Sequence, residues 1–159
     1  MLVVILLCAG LAACASPAPG SPSTGQAATV SSEPEPEATM GATPVSIVVG
    51  GQTLEARLWD SPTAQSLIDQ LPLTLDFSDY GRQEVLAEPP HPLTTAGAPS
   101  GDSAPAGTIG WYAPGGVIVL YYTDVGRYDG IVRIGKIDGD VSVLAGWGGP
   151  RPVTIERAG

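Results

Sequence analysis

Basic side chains are scarce. Seven Lys and Arg stand against 16 Asp and Glu, a formal net charge of -9 in 159 residues. A chain of that sign repels phosphate backbones, which argues against nucleic acid as a partner. There is one histidine, His91, one phenylalanine, Phe77, and only two cysteines, Cys8 and Cys14. No apolar run is long enough to span a bilayer as a helix. The length suits one domain of ordinary size. The apolar share of 43% and charged share of 14% are skewed by an apolar start and an uncharged Pro/Ala/Ser stretch, so neither describes the folded part.

The apolar start comes first. Residues 2–7 are unbroken apolar residues, followed by Cys8-Ala9-Gly10-Leu11-Ala12-Ala13-Cys14. The run suits the core of a signal peptide. Leu11-Ala12-Ala13-Cys14 resembles a bacterial lipobox: an aliphatic residue, two small residues that the peptidase can accommodate, then a thiol free to take a diacylglyceryl group. The resemblance implies a signal peptide over residues 1–13, cleavage before Cys14, and membrane attachment through lipid on Cys14, on the extracytoplasmic face. No Lys or Arg precedes the run, a departure from the usual positive start. Cleavage discards Cys8, so no disulfide or cysteine-based metal site can form in the mature domain. Each buried methylene of a lipid chain adds roughly 0.8 kcal/mol, so a multiply acylated cysteine anchors stably.

Residues 14–43 follow as Cys14 and a Pro, Ala, Ser, Thr, Gly and Glu spacer without aromatics. Such a composition cannot bury enough apolar surface to offset its ordering entropy, so a disordered stalk is expected. Glu33-Pro34-Glu35-Pro36-Glu37 should be locally extended.

Order is expected over residues 44–159. Val45, Ile47 and Val49 alternate as in a strand, Gly50-Gly51 suits a two-residue turn, and Leu54, Ala56 and Leu58 alternate on the return. Ser61 and Pro62 read as N-cap and first residue of a helix, with Ala64, Leu67, Ile68 and Leu71 on one face and Pro72 as the stop. Leu73, Leu75 and Phe77 begin another strand. Residues 84–106, with five prolines, read as a long irregular loop holding at most a short strand at Val85-Leu86-Ala87. Strands are expected at Thr108–Tyr112 and again at 117–122. The second is apolar enough to be buried on both faces. Another runs over 130–137, with Ile131, Arg133 and Gly135 on one side and Val132, Ile134 and Lys136 on the other. Residues 141–144 suit a short helical turn, and residues 153–156 a closing strand. Seven or eight short strands, one clear helix and many Gly/Pro turns predict a mainly β, closed or nearly closed barrel. About 115 residues can build such a core without disulfides.

Several blocks, in order, resemble the bacterial cyclophilin-like domain family over about residues 45–156. They are Leu71-Pro72-Leu73, Asp79-Tyr80, Gly97-Ala98-Pro99, Gly107-Thr108-Ile109-Gly110-Trp111-Tyr112-Ala113-Pro114, then Gly116-Val117-Ile118-Val119-Leu120-Tyr121-Tyr122-Thr123-Asp124 and Gly130-Ile131-Val132-Arg133-Ile134-Gly135-Lys136-Ile137. The resemblance implies a barrel of about eight strands with one or two short helices. It does not carry prolyl isomerase activity. True cyclophilins place an arginine shortly before a Phe-Met-x-Gln segment. Here Phe77 is followed by Ser78-Asp79-Tyr80, and Arg82 and Gln83 come in a different order. No catalytic residue carries over.

The remaining chemistry is sparse. His91 lies between two prolines with Ser100, Asp102 and Ser103 downstream, but nothing in that spacing builds a triad. Asp138-Gly139-Asp140 and Asp129 lack the rest of a calcium loop, so an Asp/Gly turn explains them better. Gly146-Trp147-Gly148-Gly149 lacks the Lys-Ser/Thr of a phosphate loop. No metal or cofactor is expected. Trp111, Tyr112, Tyr121, Tyr122 and Tyr128 fall along the central strands. Arg127 and Tyr128 are expected in a loop at the barrel mouth, forming a shallow cleft with Arg82, His91 and Tyr112. The expected role is a non-catalytic module binding a small ligand or peptide. The alternative is a weak or degenerate prolyl isomerase, or another enzyme using the 84–106 loop.

Overall fold

Two adjacent glycines start the barrel. The computed structural model describes residues 41–159, so the cleavage site, Cys14 and the spacer up to residue 40 lie outside the described residues. Strands β1 (Thr43–Val49) and β2 (Gln52–Leu58) pair antiparallel, with Ile47 opposite Leu54. Gly50 and Gly51 turn the chain at φ of 57° and 81°, a region that a β-carbon disfavours. Val45, Ile47 and Val49 point into the core as their alternation predicts.

Helix α1 (Pro62–Ile68) begins on its predicted cap: the Ser61 hydroxyl oxygen accepts from the Ala64 N–H at 3.1 Å. Ala64, Leu67 and Ile68 are buried. Leu71 does not belong to the helix. The chain leaves the helix after Ile68, and Leu71 packs on the core from beyond its end. A residue before proline is disfavoured in helical geometry, which ends the run early.

The chain then lays down β3 (Leu73–Tyr80), β4 (Glu84–Ala87), β5 (Gly101–Ala104), β6 (Thr108–Tyr112), β7 (Val117–Tyr121), β8 (Val125–Asp129), β9 (Ile131–Asp138) and β10 (Arg151–Arg157). Eight strands close a barrel in the order β1-β10-β3-β4-β7-β6-β9-β2. All its pairings are antiparallel, and β1 joins both β2 and β10, so no barrel strand keeps a free edge. The core is mainly aliphatic, with Phe77, Trp111 and Trp147 as its large rings. A 3-10 turn at Ser142–Leu144 stands where a helical turn is expected.

Three expectations are corrected. Residues 84–106 are not one irregular loop: the short strand expected at 85–87 is present as β4, but a second strand, β5, was not expected, and residues 88–100 form the main run without regular structure. That run is tied to the turn after α1, where Gln70 exchanges two 3.1 Å hydrogen bonds with the His91 backbone, and to α1 itself, where the Ser66 hydroxyl accepts from the Thr94 N–H at 3.2 Å. Arg127 and Tyr128 are not in a loop: they lie in β8, which pairs with β5 as a separate two-stranded sheet. Strand β9 does not alternate strictly. A bulge opposite Ile109 and Gly110 shifts the phase, so Val132, Ile134 and Ile137 all reach the core.

The fully apolar β7 is explained by two coverings. Ile118 and Leu120 fill the barrel. Val119 and Tyr121 point outward into a second apolar cluster with Ala104 of β5 and Ile131 of β9.

Candidate functional site

Between β8 and the barrel's outer face runs a groove of about 510 Å³. Its floor is Leu86 of β4, Val117 of β7 and Ile131 of β9; Val125 of β8 overhangs it. Four of the chain's five tyrosines line it: Tyr80, Tyr112, Tyr121 and Tyr128. Strand geometry puts Tyr80, Tyr112 and Tyr121 there, because alternate residues of each barrel strand face outward, and Tyr128 comes from β8. Tyr80 pairs with Glu84, and Glu84 pairs with Tyr121. One rung across three strands therefore reads tyrosine, carboxylate, tyrosine.

Close packing seats the rings. A β-carbon on Gly110 would lie 2.9 Å from the Tyr121 ring, so the bare backbone there makes room for it. Tyr121 is 1% exposed. The rings of Tyr112 and Tyr128 meet at 6.1 Å between centroids, tilted by 47°. Such a pair is favourable beyond its buried area. Tyr128 and Tyr80 keep 60% and 64% of their surface exposed, the two large apolar side chains left outside among the described residues.

Among the described residues, Glu84 is the groove's one carboxylate, and no Lys, Arg or His lines the groove. It has no ion-pair partner among the described residues. Half-burial pushes its carboxyl above the usual range. Burial, then Glu84, pushes the Tyr121 phenol up. Burial and the neighbouring Tyr128 do the same to Tyr112.

A second hollow lies across the β3–β4 turn, lined by Asp79, Arg82, Tyr122 and residues 145–147. The Tyr122 hydroxyl donates to Asp79 at 2.5 Å. Burial first, then this carboxylate, pushes its phenol up to about 12. Arg82 sits at a φ of 58°, unusual for a residue with a side chain. Its N–H donates to Asp79 at 3.2 Å, so one carboxylate holds both the turn and the tyrosine.

The residues expected to share one cleft are thus divided. Tyr112 and Tyr128 come together in the groove. Arg82 lines the other hollow. His91 is exposed beside α1. The Arg127 guanidinium donates to the Gly101 carbonyl at 2.6 Å and ties β8 to β5. The split between Arg127 and Tyr128 follows from β8 being a strand, whose successive residues project to opposite faces. Tyr80, Glu84 and Tyr121 were not foreseen as site residues. The alternation of Glu84 and Leu86 was readable, but nothing local said that their outward face would be covered.

Other motifs are used inside the fold. Asp138 pairs with Arg57 at 2.7 Å, and Asp140 accepts two 2.8 Å bonds from Ser142, which hold its pKa down. The Trp147 indole is buried and donates to the Val143 carbonyl at 2.8 Å. Phe77 lies wholly inside the barrel, away from the outer face. No hydrogen bond joins the His91 ring to Ser100, Asp102 or Ser103 among the described residues; the Asp102 carboxylate caps the next N–H, that of Ser103, at 2.7 Å.

Comparison with known proteins agrees with this architecture. A hypothetical protein of Archaeoglobus fulgidus, solved in solution, superposes with a TM-score of 0.55 at 24% identity, over 76% of this chain and 98% of that one. At that identity the likeness speaks for the fold alone. No curated protein matches the chain. The model of the cyclophilin-like family matches residues 47–156, most of the chain and nearly all of the barrel, and the chain belongs to that family.

Proposed function

We propose that the domain is a binding module, presenting the tyrosine-walled groove to a small molecule or short peptide without transforming it. The observation that carries this reading is the groove itself. Its volume of about 510 Å³ falls within the range typical of ligand sites, and its lining is apolar with few polar groups. The lining contains neither a nucleophile paired with a base nor a histidine. The lipobox-like Leu11-Ala12-Ala13-Cys14 supports display of the module from a membrane, on the extracytoplasmic side, through lipid on Cys14.

Two measurements test the two halves. Titration of metabolite and short-peptide panels, followed by NMR, should move the backbone signals of Tyr112, Tyr121 and Tyr128. Shifts confined to the opposite side of the barrel would sink the groove. A prolyl-isomerisation assay should show no acceleration; acceleration lost in Tyr112→Ala would make the domain an enzyme. Mass spectrometry of the native N-terminus decides the anchor: an unmodified Cys14 or an intact leader overturns it.

A further inference from the structure

The groove's lining carries a charge problem. Glu84 is half-buried among phenol rings and aliphatic side chains, with no cation beside it. A carboxylate in such surroundings loses water without gaining a partner. The rings offer it nothing cationic, but their faces carry partial negative charge. Everything on the rung Tyr80–Glu84–Tyr121 therefore attracts positive charge, and the Tyr112–Tyr128 pair adds two more rings to the same lining.

A metal ion does not suit this arrangement. Hard divalent cations need six or more oxygen ligands, and the groove has one carboxylate. A neutral ligand would leave Glu84 desolvated and unpaired, and an anion would be repelled. The floor of Leu86, Val117 and Ile131 favours carbon over water. A positive charge wrapped in alkyl groups meets all of these conditions together: it binds ring faces and carboxylate while its carbons rest on the floor.

We propose that the groove selects a small organic cation of the alkylammonium class, with Glu84 as the charge partner and Tyr80, Tyr112, Tyr121 and Tyr128 as its aromatic walls. This inference rests on the groove being a binding site, and it adds the chemistry of the ligand.

The test uses two probes of nearly one shape: choline, and the neutral dimethylbutanol in which carbon replaces the ammonium nitrogen. Both are titrated into the full chain and followed by NMR. Choline should bind about tenfold more tightly than the alcohol, the scale of a partly desolvated cation–aromatic site. Glu84→Gln should remove most of that preference by weakening choline, because the charge partner is lost. Tyr128→Ala, a change at an exposed ring that leaves the fold intact, should weaken choline several-fold. Equal affinity for the two probes, or a preference that survives Glu84→Gln in a folded variant, overturns the cation while leaving the groove as a site. If neither probe moves the groove's signals, the binding reading falls with the cation.

Discussion

The two faces of β7 differ in kind. Ile118 and Leu120 point into an aliphatic interior that the barrel seals on every side. Val119 and Tyr121, their immediate neighbours, point into a layer only partly covered by β5 and β8. The inner face has no ionisable group among its core residues. The outer layer opens onto a groove with four tyrosines and a carboxylate. One strand thus serves the sealed interior and, in the proposed function, recognition, separated by a side-chain period of two. Changes inside should register as lost stability, and changes outside as lost binding.

That division can be broken in order of effect. Phe77→Ala removes a wholly buried ring from the barrel and should cost about 3–5 kcal/mol in urea unfolding. A loss below about 1 kcal/mol, the scale of surface changes, would mean that the interior is not the main store of stability. Gly110→Ala crosses between the regions: its β-carbon meets the Tyr121 ring at 2.9 Å, so about 1–3 kcal/mol should be lost together with groove binding. If binding survives at full strength, Tyr121 is not a wall of the site.

Glu84 sharpens the contrast through pH. Its folded pKa is raised, so between the ordinary carboxylate range and that higher value the native state holds the extra proton. Stability therefore falls as pH rises through this window, because deprotonation is easier in the unfolded chain. Glu84→Gln should be more stable than the parent near neutral pH and lose the advantage in acid. Unfolding midpoints that stay parallel across pH would show that the carboxylate is well solvated. Tyr128→Ala should do least to the fold, within about 0.5 kcal/mol, since its ring is largely exposed. A larger thermal destabilisation would move Tyr128 from the recognition layer to the structural one.

Local elements were well read in advance. The Gly50-Gly51 hairpin and the Ser61 cap each depend on neighbours within a few residues, and both stand; the two-sided burial of β7 was legible in its unbroken apolar run, although distant strands supply the covering. The closed, mainly β architecture followed from their number and from the family resemblance, and it stands too. The errors fell where partners are distant. β5 has a short polar sequence, Gly101-Asp102-Ser103-Ala104, that no propensity scale favours as a strand; it is one because β8 supplies its hydrogen bonds. Strict alternation failed in β9 because a bulge is set by the facing strand β6.

The tyrosine-lined groove marks the limit of local reading. Periodicity alone assigns Glu84 and Leu86 to one face of β4, and Val117, Val119 and Tyr121 to one face of β7. It cannot say which residues stand on the same rung, or that β8 will overhang them. Those facts require strands from β3 to β9 to be brought together in register, and register comes from closing the barrel around its core. The chain's own order of residues therefore specified hairpin and cap through short-range physics, and marked β7 as a strand to be buried through its apolar run. The tyrosine-and-carboxylate groove exists only once long-range hydrogen bonding has closed the barrel and laid β8 across its outside.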